Sequence, residues 1–90
     1  MNIEDSKIEA LIIMQEECGE VVQSIAKIFR FGMNDVYQEI SNKERLEKEV
    51  GDLLCMVDIL IERGVISDSV VNEARHSKRE KLESWSNIFK

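Results

Sequence analysis

Two short acidic motifs carry the chemistry that this chain offers. The first is Glu16-Glu17-Cys18-Gly19-Glu20, and after 28 intervening residues comes Glu49-Val50-Gly51-Asp52. On a helix, residues three apart share a face, so Glu17 with Glu20 and Glu49 with Asp52 form two carboxylate pairs. Both pairs lie against apolar residues. At 100° per residue, with Glu49 at zero, Leu46, Val50, Leu53, Val57 and Leu60 fall between roughly 20° and 100°, with Met56 and Ile59 at roughly -20° and -80°. Glu49 and Asp52 sit inside that arc, whereas Glu47 and Asp58 sit opposite it. In the first motif Glu20 lies about 40° and Glu17 about 100° from Glu16, which places Glu17 beside Ala10 and Ile28 and leaves Glu16 the most outward of the three. A single acid on a helix is by default solvated surface. Two pairs at matched spacing on apolar arcs are a different matter, because burying uncompensated carboxylates is costly. Four converging carboxylates suit a hard divalent cation, which takes oxygen ligands and keeps positions for water or phosphate.

The bases and aromatics show the complementary anomaly. Lys78 shares a stripe with Val71, Ala74, Leu82 and Trp85, and Arg75 lies about 60° away. Lys27 falls on the line of Glu16 and Glu20. Such bases either snorkel to water or meet an anion. Trp85, Phe31 and Tyr37 are able to stack on a nucleobase, although the core or an interface is the more ordinary place for them. Cys18 and Cys55 have no CxxC spacing, and His76 is the single histidine, which is too little for a zinc site. Buried, reduced thiols are expected.

Three amphipathic segments must position these groups. The first helix is expected over about 6–31, with Leu11, Met14, Cys18, Val21, Val22, Ile25, Ile28 and Phe29 on one broad face and Gly32 as a left-handed stop. Met33 to Ile40 has weak periodicity and reads as a connection with room for a turn of helix. Ser41 and Glu44 have capping-box spacing and open a helix over about 42–63, which Gly64 ends. Ser67 or Asp68 caps a third helix over about 68–85, and the tail from Ser86 is expected to fray.

Composition agrees with a small helical protein. The 90 residues allow one domain, taken as 1–90, with 43% apolar and 33% charged residues and no proline. A net charge of -6 argues against general binding to a nucleic-acid backbone, so an anionic ligand must be met by local bases or by metal ions. No apolar run approaches the roughly 18 residues of a membrane span, and no signal-like start is visible, so neither a nucleic acid nor a membrane is expected as a partner. Chains of this size bury only about 60% of their unfolded surface, which favours association. The expected fold class is all-α: an antiparallel helical bundle completed by dimerisation around a four-helix-type core, or a dimer of dimers.

The pattern EExxE followed by ExxD resembles the MazG-like all-α nucleoside triphosphate pyrophosphohydrolases, the superfamily that includes dimeric dUTPases and dCTP pyrophosphatases. The segments KIFRFG and NKERLEKEVGDLL are also similar to its small members, including those carried by phages. The resemblance spans about residues 8 to 82 and implies a hydrolase that splits an NTP or dNTP between the α and β phosphates, giving a nucleoside monophosphate and pyrophosphate. It implies Glu17, Glu20, Glu49 and Asp52 as ligands of Mg²⁺, or Mn²⁺ in its place. Glu16 would be an accessory acid that orients the attacking water or tunes a ligand, so the catalytic carboxylates are Glu16 and Glu17. Lys78, Arg75 and Lys27 would hold the outer phosphates. Cys55 and Met56 stand where family members often carry an aromatic residue, which bears on substrate identity. A homodimer or homotetramer in the cytoplasm, or in a host's cytoplasm for a phage-borne copy, is the expected setting. The rival readings are a nucleotide-binding sink without turnover and a helical oligomerisation or regulatory module.

Overall fold

A computed structural model describes residues 4–90. The elements in order are α1 (Asp5–Phe31), β1 (Val36–Tyr37), β2 (Ile40–Ser41), α2 (Asn42–Glu62) and α3 (Asp68–Trp85). The helix limits match those expected from the sequence because local signals set them. At the start of α2 the Ser41 hydroxyl accepts from the Glu44 N–H at 3.1 Å, and at the start of α3 the Ser67 hydroxyl accepts from the Val70 N–H at 3.4 Å. Helix α2 ends in a Schellman motif around Gly64, whose φ is 72°. Its N–H donates to the Ile61 carbonyl at 3.0 Å and the Val65 N–H to the Leu60 carbonyl at 2.9 Å.

Helices α1 and α2 pack antiparallel. Ala10 meets Met56 and Leu60 at one end, and the Asn42 side chain reaches the Gly32 carbonyl at the other. The buried apolar centre among the described residues is small: Ala10, Met56 and Leu60, with Leu11, Ile13, Met14, Ile59, Val65 and Ile66 packed around it. Helix α3 has no buried residue. A radius of gyration of 16.1 Å exceeds the ~12 Å of a compact chain of this length, so the helices form a packed pair with a third helix standing off.

Several expectations change as a result. The broad apolar face of α1 is only partly covered, with Val22 66% and Phe29 86% exposed. Cys18 and Cys55 are both free and exposed rather than buried, because they lie on flanks turned away from the α1–α2 seam. Trp85, Phe31 and Tyr37 are exposed rather than in a core. The tail after α3 is held in a turn in place of fraying, with the Ser86 hydroxyl donating to the Leu82 carbonyl at 2.9 Å and accepting from the Ile88 N–H at 3.2 Å.

The connection between the first two helices is a β-hairpin, with no turn of helix. Val36 pairs with Ser41 and Tyr37 with Ile40, and the two residues between them, Gln38 and Glu39, have φ of 53° and 69°. Positive φ at both central positions is the type I′ pattern of tight two-residue hairpins, which normally use Asn or Gly there, so Gln-Glu gives no signal in the sequence. Holding two such residues left-handed costs about 1 kcal/mol or more each, offset by contacts around the hairpin. The Asn42 N–H donates to the Asp35 carbonyl at 2.9 Å, the Lys43 N–H to the Met33 carbonyl at 3.0 Å, and the Arg45 guanidinium to the Tyr37 carbonyl at 3.1 Å.

Gly32 stops α1 as expected, but its conformation differs: φ is 94° and ψ is 160°, outside the left-handed helical region. That combination is open almost only to glycine. A β-carbon there would meet nothing within 4 Å, so the penalty for a side chain is purely one of backbone conformation. Gly32→Ala is therefore expected to lower stability by about 1–3 kcal/mol in urea denaturation, with the slope of the transition unchanged.

Candidate metal centre

Antiparallel packing brings the two acidic motifs to the same level of the α1–α2 seam. One carboxylate oxygen from each of Glu17, Glu49 and Asp52 lies within 4.8 Å of the other two. Ligand oxygens around a single Mg²⁺ stand roughly 3 Å apart when adjacent and about 4 Å when opposite, so small side-chain rotations would close this trio on one ion. Glu17 and Glu49 are half-buried, and Asp52 is exposed. Glu20 and Glu16 are exposed beside the trio and act on Glu17 through their charge.

Glu17 is the group that the rest converge upon. Its Oε2 is buried and has no hydrogen-bond partner among the described residues. Its pKa is raised above the ordinary 4.5, first because the carboxylate is removed from water, then by the charges of Asp52, Glu49, Glu20 and Glu16 in that order. An orphaned carboxylate oxygen among other carboxylates is an electrostatic debt that a divalent cation cancels, and an all-oxygen donor set suits Mg²⁺ or Mn²⁺. The residues present therefore fit the metal that the acidic motifs imply.

One family model matches most of the chain. The family model described as the MazG nucleotide pyrophosphohydrolase domain matches residues 6–83. The chain belongs to the MazG family. No curated protein and no solved structure is matched. The matched region of this MazG domain takes in α1, the hairpin, α2 and most of α3, and so contains both acidic motifs.

The basic residues divide into two groups. Lys27 lies with Arg45 in the lining of a cavity of about 410 Å³ at the hairpin end of the helix pair, where Phe31, Asp35, Tyr37 and Asn42 also contribute. Arg75 and Lys78 are exposed on α3, and the Lys78 ammonium stands 5.4 Å from the centre of the Trp85 ring. Arg45 escaped the reading of the sequence. Its signal was its spacing: it lies seven residues before Asp52 as Lys27 lies seven after Glu20, about 10 Å along each helix, with Glu49 one turn from Arg45.

The raised pKa sets a pH dependence for the metal-free protein. A carboxyl group with a higher pKa in the folded state binds more protons folded than unfolded, so its ionisation removes stability as pH rises from about the ordinary 4.5 through the raised value. Thermal melts without divalent ions should show Tm falling across that window, and Glu17→Gln should raise the metal-free Tm above it. Added Mg²⁺ should restore Tm in the wild type and have little effect on the variant.

Proposed function

We propose that this MazG domain is a Mg²⁺-dependent nucleoside triphosphate pyrophosphohydrolase, acting on NTPs or dNTPs to yield the monophosphate and pyrophosphate. The observation that carries the reading is the buried, partnerless Glu17 oxygen set among Glu49 and Asp52 on facing helices. Family membership supplies the reaction class.

In this reading Glu17, Glu49 and Asp52 hold the cation, and Glu20 joins them from the exposed edge. The bound ion would neutralise phosphate oxygens and lower the pKa of a coordinated water. Glu16, exposed next to this set, orients the attacking water and takes its proton, with Glu17 the other carboxylate able to do so. Lys27 and Arg45 balance phosphate charge on the hairpin side, and Arg75 and Lys78 on α3 do so for the outer phosphates. The acidic surface would otherwise repel a triphosphate, which is why the ligand set and the bases must act together.

The same reading calls for a second copy of the chain. Cys18, Val22, Ile25 and Phe29 fall within roughly 60° of one another on α1, an apolar stripe that α2 does not cover. With only a small buried centre and α3 standing off, a homodimer, or a tetramer made from two dimers, provides the missing cover.

Two measurements test these points. Pyrophosphate release from a panel of NTPs and dNTPs with Mg²⁺ should fall at least about 100-fold in Glu49→Gln and in Asp52→Asn while the helical content stays the same. Release that survives both substitutions refutes the metal site, and nucleotide binding without release by the wild type indicates a sink. Light scattering should report a multiple of 10.4 kDa, and Val22→Asp with Phe29→Asp should shift it toward the monomer.

A further inference from the structure

The cavity at the hairpin end has a chemistry distinct from that of the carboxylate trio. Its walls are the last turns of α1, the hairpin and the first turns of α2. Phe31 and Tyr37 present aromatic rings that are 55% and 61% exposed, Asp35 offers acceptors, and Lys27 and Arg45 offer donors. A volume of about 410 Å³ lies in the range of small-molecule sites. Helix geometry gives its position relative to the acids. Arg45 is one turn from Glu49, Lys27 is about 10 Å beyond Glu20, and Phe31 is a further turn, about 6 Å, along. Moving along the seam away from the acids, the lining thus passes from cations to aromatic rings.

The hairpin is built to keep those rings in place. Gln38 and Glu39 are both held at positive φ, and the bonds from Asn42, Lys43 and Arg45 to the carbonyls of Asp35, Met33 and Tyr37 tie the loop to α2. Strain kept by surrounding contacts and placed beside a cavity is the pattern expected of a pre-organised binding element.

We propose that this cavity is the nucleoside subsite of the protein: Phe31 and Tyr37 stack against the base, and Asp35 accepts a hydrogen bond from an exocyclic amino group, favouring amino-bearing bases. Lys27 and Arg45 mark the boundary between the nucleoside and its phosphates. The inference rests on the proposed action on nucleoside triphosphates, since it gives each half of such a molecule its own end of the seam. An aromatic face binds any base, whereas a carboxylate accepts from the 4-amino group of cytosine and is opposed by the 4-oxo group of uracil.

The test compares ligands that share only one half. Affinities for cytidine and uridine triphosphates and for inorganic tripolyphosphate are measured with Ca²⁺ in place of Mg²⁺, on the wild type, Phe31→Ala, Tyr37→Ala and Asp35→Asn. Each aromatic variant should weaken nucleotide binding about tenfold and leave tripolyphosphate binding unchanged. Asp35→Asn should reduce the preference for cytidine over uridine triphosphate by about tenfold. Because Phe31 and Tyr37 are exposed, unchanged melting would separate binding loss from unfolding; Phe31→Leu is a milder second variant. Equal losses for nucleotide and tripolyphosphate, or no loss in either aromatic variant, overturn the subsite. So does a wild type that binds no nucleotide. Hairpin-dependent binding without pyrophosphate release in Mg²⁺ leaves the subsite standing and removes the hydrolase reading, whereas release that is indifferent to the hairpin variants does the reverse.

Discussion

Mutual repulsion among carboxylates at the α1–α2 seam is the constraint on which the rest of the molecule depends. Glu17 meets the Glu49–Asp52 pair of α2 only because the helices pack antiparallel, and that packing forces Glu17 partly out of water beside four other acids. Apolar contact at the far end of the seam, through Ala10, Met56 and Leu60, holds that arrangement against the repulsion. Such a cluster, with one Glu17 oxygen unpartnered among the described residues, carries a concentrated negative charge that the proposed cation would neutralise.

The seam has a direction. At one end lies the apolar centre, in the middle the acids, and at the other end a hairpin with bases and aromatic rings. Conformational strain is concentrated at this last end, in Gly32, Gln38 and Glu39. The backbone there is stabilised by hydrogen bonds from the first turn of α2, so the start of that helix both caps itself and anchors the hairpin. Exposed apolar residues on α1 and the poorly packed α3 show where one chain falls short of a complete core.

Helix limits were legible in the sequence because they depend on neighbours along the chain. Ser41, Ser67 and Gly64 act on groups within a few residues: the two serine hydroxyls accept the cap bonds and Gly64 makes the turn, although of the Ser41–Glu44 capping box only the serine half forms. Of the acids, the spacing placed Glu17, Glu20, Glu49 and Asp52 on facing helices; Glu17, Glu49 and Asp52 come within 4.8 Å of one another, whereas Glu20 stays exposed beside them. The hairpin was hidden because Gln-Glu is an unusual turn pair whose positive φ is imposed by tertiary contacts. Arg45 carried only a spacing signal, seven residues before Asp52 as Lys27 is seven after Glu20, and what it lines is set by the packing of the hairpin against α2.

By itself, the sequence determined three helices, their ends and two acidic faces, since periodicity and capping act within a turn or two of chain. Tertiary structure decided which acids meet, that Glu17 is the one pushed toward protonation, and that Cys18, Cys55 and the aromatic residues face outward. It also decided that Lys27 and Arg45 share a cavity with Phe31 and Tyr37. The physical reason is that burial and electrostatic coupling arise between elements, and helical periodicity reports only which face a residue occupies, never what that face will meet.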